Sequence, residues 1–341
     1  MKNIPVLIVG LGSMGKRRAR NLLALGFTSI AGFDLREDRR REAEERNKIH
    51  TFSNFEAALS EFQPKVLVIS VPPDVHHIYM RKAAEMNIPF FVEASVVDTD
   101  LNEIINLCKA KNLVAAPSST MYFHPAIKTI FSLVNSGYLG NLTNVIYHSG
   151  QYLPDWHTYE KVSDFYVSKK ETGGAREIVP FEMTWMCKLL GFPSRVSALV
   201  KKTISIPGAD DIDDTYNVLF DYDQFTLQLT IDVVSRCATR RLLINGSEKQ
   251  LTWNWDENVI RVFHPKKNEW ELITYEVMDA AGGYNKNITE QMYIDEMNCF
   301  FDAVAGQQPF VNTLESDFRV LQLLYAAEES NRSAKFISFS A

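Results

Sequence analysis

Cysteine is scarce: four residues in 341, Cys108, Cys187, Cys237 and Cys299, with no C-x-x-C pair among them. That spacing excludes a paired-cysteine zinc site and the disulfide framework of a small secreted domain. Reduced thiols in a cytoplasmic protein are the expectation. Long apolar runs are also missing. Nothing approaches the roughly 20 apolar residues that a helix needs to cross a bilayer. The short run in "MKNIPVLIVGLGSMG" lacks a small-residue cleavage site and leads directly into glycines, so it reads as a strand and not a secretion signal. Basic excess is missing too, since 36 Lys+Arg against 42 Asp+Glu leave a formal net charge of -6. This argues against a nucleic-acid partner but not against a small anionic ligand, which responds to local charge.

What the chain does have is ordinary for a soluble globular protein: 46% hydrophobic and 23% charged residues. Its length implies two domains. In the first third, apolar runs ("IPVLIVG", "SIAGFD", "KVLVISV", "PFFVE", "LVAAP") alternate with segments of helical spacing such as "SMGKRRARNLLALG" and "DVHHIYMRKAAEMN". That alternation implies βαβ units and a parallel sheet covered on both faces. Near Ser118 the pattern changes to longer segments of alternating polarity, including "SRVSALVKKTISI", "DTYNVLFDY", "FTLQLTIDVV" and "RRLLING". These imply a mostly antiparallel sheet with one solvated face. The expected division is a parallel-sheet α/β domain over 1–120 and a second α/β domain over 121–341.

Gly10, Gly12 and Gly15 form G-x-G-x-x-G between a strand and a helix. The first glycine permits a tight turn, the second lets backbone approach a pyrophosphate, and the third allows close helix–strand packing. The helix start at Ser13 and Met14 then offers N–H groups and a positive dipole end to phosphate. Asp34 ends the next strand, placed to hydrogen-bond adenosine ribose hydroxyls, and its charge favours NAD over NADP. The neighbouring Leu35 and Arg36 complete the expected adenosine contacts. Arg36 leaves NADP open, because an arginine there accommodates a 2′-phosphate.

At "SVPPDVHHIYMRKAAEMNIPFFVEAS" the chain resembles the Gfo/Idh/MocA family of NAD(P)-dependent sugar oxidoreductases, whose pattern is Pro-Pro-x-x-His, a helix, a strand and Glu-Lys-Pro. Pro72, Pro73, His76 and Glu93 match it. "MYFHPAIKTIFSLVNSGYLGNL" resembles the opening of that family's second domain, and "ETGGAREIVPFEMTWMCKLLG" its glycine-led helix beside the active site. The resemblance implies a Rossmann dinucleotide-binding domain over 1–120, a substrate-binding and oligomerisation α/β domain with an open antiparallel sheet over 121–341, a nicotinamide bound between the domains and a sugar lying over the second sheet. It also implies cofactor contacts from Val71 to Pro73, His76 near the cofactor, Glu93 beside the nicotinamide ribose, and a homodimer or homotetramer.

Two departures bear on chemistry. Ala94 stands where the family has the lysine that exchanges a proton with the substrate. In the aspartate-then-histidine signature, Glu177 takes the acid's place and Phe181 the histidine's. Hydride transfer from a carbinol still needs a proton to leave. Lys170 and His157 are the first candidates for carrying it, followed by Tyr122 and Glu177. Asp155, Trp156, Lys169 and Arg176 are candidate substrate contacts in and after the polar–aromatic stretch "QYLPDWHTYEKVSDFYVSKKETGGAR". Asp155, Trp156 and His157 read equally as a loop-packing cluster. The acidic set Asp210, Asp211, Asp213 and Asp214 lacks a calcium-loop glycine and reads as a solvated turn, so no metal is expected. The implied activity is hydride transfer to or from a sugar, acidic sugar or nucleotide sugar. A dinucleotide sensor without hydride chemistry, or a lyase or epimerase using the cofactor transiently, are the alternatives.

Overall fold

The computed structural model describes residues 1–156, 161–277 and 289–339. By backbone contacts the chain divides into two units, Met1–Thr120 with Gln291–Phe318, and Met121–Glu290 with Arg319–Ala341.

The first unit alternates strand and helix: β1 (Val6–Val9), α1 (Ser13–Ala24), β2 (Ile30–Phe33), α2 (Glu37–Asn47), β3 (His50–Phe52), a short α3 (Phe55–Ala57), β4 (Val66–Ile69), α4 (His76–Glu85), β5 (Phe90–Val92), α5 (Leu101–Ala110) and β6 (Ala115–Pro117). All strand pairs are parallel, in the order β3-β2-β1-β4-β5-β6. Every residue of β1, β2, β4 and β5 is buried, as uninterrupted apolar strands between two helical layers must be. The order reverses between β1 and β4, and ligands of such sheets bind at the carboxyl ends of the strands at that crevice.

A division at residue 120 alone does not describe this unit. Helix α8 (Glu290–Val304), from the far end of the chain, packs Phe301 on Phe27 and Phe300 on Phe91, with ring centroids 4.2 and 5.8 Å apart. These contacts give aromatic cover to Phe91 of β5 and to Phe27 of the α1–β2 turn.

The second unit holds α6 (Pro125–Asn135), β7 (Leu142–Tyr152), α7 (Ala175–Leu190), β8 (Arg195–Lys201), β9 (Thr215–Asp221), β10 (Thr226–Asp232), β11 (Val234–Gly246), β12 (Gln250–Asn254), β13 (Val259–His264) and β14 (Glu269–Thr274). Most of α9 (Leu314–Ser333) and β15 (Ile337–Ser338) follow. The sheet runs β14-β13-β12-β11-β7-β10-β9-β8-β15, antiparallel except for the β7–β10 pair. Register separates its faces. Ala198, Val218, Leu229, Tyr147, Leu242, Trp253 and Ile260 lie side by side across the strands and are all buried. One residue along, Leu219, Gln228, Ile146, Leu243, Thr252, Arg261 and Leu272 form the opposite row, with Leu219, Ile146 and Leu272 exposed.

Two strands differ from the sequence expectation. "SRVSALVKKTISI" stops being strand after Lys201, because Asp214 captures the amides of Thr203 and Ile204 at 2.8–3.0 Å. Asp214 is fully buried and also accepts from the hydroxyls of Thr203 and Thr215. It is therefore a structural hub and not part of a solvated turn. Strand β11 begins six residues before the expected "RRLLING", with a register shift between Val234 and Thr239. None of the four cysteines forms a disulfide. No helix of the described residues is long and apolar enough to cross a membrane.

Candidate functional site

The carboxyl ends of β1 and β2 carry the glycine loop. Gly10 has φ +92°, and a Cβ there would lie 2.7 Å from the Ser70 carbonyl oxygen. A Cβ on Gly15 would stand 1.8 Å from the Gly10 carbonyl oxygen, so only glycine lets α1 approach β1 this closely. Gly12 begins α1 with no side-chain cap, and the first turn, from Ser13 and Met14, contains no acidic residue. The positive helix end is thus left for an anion. Asp34 is 7% exposed; its Oδ2 accepts from Leu11 N–H at 2.8 Å and its Oδ1 from Arg36 N–H at 2.9 Å. These bonds orient the carboxylate and tie the glycine loop to the end of β2. Leu35 projects outward, 77% exposed. Arg36 turns its guanidinium onto Asp38, at 2.7 and 3.1 Å. Arg39 approaches the glycine loop, its Nη1 3.8 Å from Asp34 Oδ2 and 3.3 Å from where a Gly12 Cβ would be. Loop, open helix start and oriented acid together fit a dinucleotide.

The second half-motif, β4–α4–β5, ends on Val71, Pro72 and Pro73, then His76 and Glu93. His76 is buried, donating from Nε2 to the Val71 carbonyl at 2.9 Å, and burial pushes its pKa down to about 4, so the ring is neutral at pH 7. It fixes the Pro72–Pro73 turn from beneath. Glu93 receives Arg18 on both oxygens, Nε at 2.7 Å and Nη2 at 2.8 Å, and the Ser70 hydroxyl at 3.0 Å. Arg18 is fully buried and also meets Glu296 of α8 at 2.9 Å. Burial works against its charge, but Glu93 and Glu296 outweigh that and raise its pKa. Glu296, itself fully buried, accepts from the Ser118 hydroxyl, Ser119 N–H and the Thr120 hydroxyl at 2.7–3.0 Å.

In the second unit, the segment before α7 folds back tightly. A Cβ on Gly173 would lie 1.9 Å from the Val167 carbonyl oxygen, and Gly174 has φ +64°. This fold-back lays Tyr166 against the first turn of α7, where its hydroxyl donates to Glu177 Oε1 at 2.5 Å. Glu177 Oε2 is sealed from solvent and has no hydrogen-bond partner among the described residues. Burial raises the Glu177 pKa to about 7, against the opposing pull of the Tyr166 hydrogen bond. A carboxyl poised near neutrality beside a phenol can take up or release a proton at working pH.

Other expected site residues fall elsewhere. Arg176 is turned inward: it pairs with Glu328 at 2.6 Å and donates to the Glu171 carbonyl, while Tyr216 shares Glu328 at 3.1 Å. This buried pairing explains Arg176 structurally and removes it as a substrate contact. Lys169 and Lys170 are exposed on the loop, as is Asp155; Trp156 is half-buried. Tyr122 packs edge-on against Phe123 and Phe131. His157 lies outside the described residues. Phe181 follows Glu177 by about one turn of α7. The described residues include no cluster of three or more metal-ligating side chains.

Residues 4–118 match the model of an oxidoreductase family with an NAD-binding Rossmann fold, and residues 127–252 match the C-terminal domain of the same Gfo/Idh/MocA grouping. The chain belongs to the Gfo/Idh/MocA oxidoreductase family. Its first unit is that family's NAD-binding domain, and the protein is an NAD-dependent oxidoreductase of this family. No curated protein sequence matches the chain. Among solved structures, levoglucosan dehydrogenase in complex with NADH superposes with a TM-score of 0.85 at 16% identity, covering 99% of both chains. An oxidoreductase from Agrobacterium radiobacter, in complex with NAD+, L-tartaric acid and magnesium, gives 0.85 at 12% identity over 98% of each chain. GenD2 from gentamicin A biosynthesis, in complex with NAD, gives 0.80 at 17% identity, over 100% of this chain and 97% of its own. At these identities the likeness is one of fold.

Sequence reasoning missed Arg18 and Glu296 and left Tyr166 unranked. Arg18 was findable: it sits three residues after Gly15 and four before Leu22, on the buried stripe of α1. Nothing local marks Glu296 as its partner, 278 residues away in sequence. Asp317 was missed as well; it is buried, and burial raises its pKa to about 7, opposed by a hydrogen bond with Ser95.

Proposed function

We propose that the protein oxidises or reduces a sugar or sugar derivative with NAD, and that Glu177, coupled to Tyr166, carries the proton. The observation behind this reading is the enclosed Glu177 carboxyl, with pKa near 7 and one oxygen without a partner among the described residues. Gly10, Gly12, Gly15 and the start of α1 would hold the pyrophosphate, Asp34 the adenosine ribose, and Glu93 the nicotinamide ribose. Bound NAD supplies the hydride acceptor. As a base, Glu177 takes the proton through Tyr166: the carbinol hydroxyl gives its proton to the phenol oxygen as the phenol proton passes to Glu177 Oε1, and in reduction the proton returns by the same path. Ala94 has no acid/base group, and Lys170 lies exposed, so neither competes with Glu177 on geometry. Levoglucosan dehydrogenase, seen with levoglucosan and with L-sorbose, supports a sugar as the substrate class.

The test is NADH formation across a panel of sugars, acidic sugars and nucleotide sugars, with Glu177→Gln and Lys170→Ala compared on any that turn over. Loss of about 10²-fold or more in kcat for the glutamine variant, with NAD affinity kept, supports the assignment. Equal rates in wild type and Glu177→Gln refute it. Ala94 favours a second reading, a dinucleotide sensor: NAD binding without turnover of any sugar would support it. Product formed without net NADH would indicate a lyase or epimerase.

The exposed row containing Leu219, Ile146 and Leu272, with Leu199 and Trp270 also exposed in the same sheet, supports a homodimer or homotetramer built on this face.

A further inference from the structure

The two halves of the first unit are built alike. β1–α1–β2 ends on Asp34, and β4–α4–β5 ends on Glu93, on either side of the strand-order reversal. The family resemblance puts Glu93 beside the nicotinamide ribose, as the glycine motif puts Asp34 beside the adenosine ribose. Asp34 is steered by backbone amides. Glu93 is steered by a buried cation instead, with both oxygens on Arg18.

We propose that Arg18 is a positioning residue, holding Glu93 toward the nicotinamide half of the cofactor and, with Glu296, setting the charge that the nicotinamide meets there. The inference rests on the dinucleotide reading above.

Arg18 comes from the middle of α1, the helix whose N-terminus would meet the phosphates, so one rigid element would serve both halves of the cofactor site. Its guanidinium lies 4.5 Å from the Phe91 ring centroid and 5.4 Å from that of Tyr293, and its side chain is fully enclosed. With water excluded there, charges act at longer reach than on the surface. The groups facing Glu93 are Arg18 from α1, Ser70 after β4, His76 from α4, and Tyr293 and Glu296 from α8. His76 is neutral at pH 7. Arg17 of α1, also buried, lies 4.1 Å from the Tyr293 ring centroid on the same cluster, so two carboxylates, Glu93 and Glu296, stand against two guanidiniums. The chain lacks the family's lysine beside Glu93, at Ala94, and Arg18 supplies a cation from behind. An arginine cannot exchange its proton, so it supplies charge and geometry only. The two contributions of the missing lysine are thus separated: charge at Arg18, proton exchange at Glu177.

The oxidised nicotinamide is cationic and the reduced one neutral, so removing a cation from this balanced cluster favours NAD+ and removing a carboxylate favours NADH. The experiment titrates both forms onto the full chain at pH 8, NADH by fluorescence and NAD+ by competition. Arg18→Met should weaken NADH at least about tenfold and move the NAD+/NADH affinity ratio about threefold or more toward NAD+. Glu296→Gln should move that ratio the opposite way, and Arg18→Lys should bring it back within about twofold of wild type. A merely structural role predicts equal weakening of both forms, with no sign change between Arg18→Met and Glu296→Gln, and that result overturns the proposal. If Arg18→Met does not fold, the opposed signs expected of Glu296→Gln and the rescue by Arg18→Lys still decide the matter. Failure of the wild type to bind either form would instead sink the dinucleotide reading itself.

Discussion

Glu177→Gln should stabilise the cofactor-free protein at high pH and leave it nearly unchanged at low pH. The burial that brings the Glu177 pKa from 4.5 to about 7 means that the folded chain holds a proton the unfolded chain has already released. The sign follows from linkage: this group's contribution is fully present below about pH 4.5, declines as pH rises, and is lost once pH passes the folded value near 7. At about 1.4 kcal/mol per pKa unit, the cost of charging the buried carboxyl at pH 8 is on the order of 3 kcal/mol. Glutamine never charges, and its carbonyl oxygen can still accept from the Tyr166 hydroxyl. The variant should therefore melt about 3 °C or more above wild type at pH 8 and within about 1 °C at pH 5. Differential scanning fluorimetry at half-unit pH steps reads both numbers. Asp317 imposes a slope of the same sign, but it is common to both proteins and cancels in their difference. Parallel melting curves across the pH range would refute the argument, because they would mean that Glu177 is solvated and has an ordinary pKa. Higher stability together with lost turnover is the signature of a residue kept strained for its chemistry.

Three further outcomes are expected. Asp34→Ala should weaken NADH about tenfold by titration and weaken NADPH less; equal weakening contradicts the ribose assignment. Gly15→Ala must displace the Gly10 carbonyl, 1.8 Å from the new Cβ, so it should lower the melting midpoint and abolish measurable NADH binding; normal binding would show that α1 can pull back without cost. If the exposed row of the second sheet joins copies of this chain, Leu272→Glu should give a smaller species than wild type in sedimentation velocity, and an unchanged species refutes that face as an interface.

Local signals were legible in the sequence and distant ones were not. The parallel sheet, the glycine loop and Asp34 follow from contiguous residues, where turn chemistry and strand burial act within about 30 positions. The alternation that separates Tyr147 and Trp253 from Ile146 and Thr252 is equally local. The end of β8 was not legible, because it depends on Asp214, ten and eleven residues beyond the amides it captures. Lys170 and Arg176 drew attention by their charge, yet one faces solvent and the other is neutralised by Glu328, 152 residues on. Tyr166 looked like one aromatic among several in its loop. Its contact with Glu177 exists only because Gly173 and Gly174 let that loop close.

The return of Gln291–Phe318 to the first unit has a consequence during synthesis. A ribosome that has released residues 1–120 has made the whole parallel sheet but not Glu296, Phe300 or Phe301. Until α8 emerges, Arg18 lacks one of its two anions and Phe27 and Phe91 lack their aromatic cover. The nascent nucleotide-binding half therefore cannot mature domain by domain from its amino end. It stays incomplete until almost nine-tenths of the chain exists, so truncations that look like clean domain cuts should yield sticky, holdase-dependent fragments.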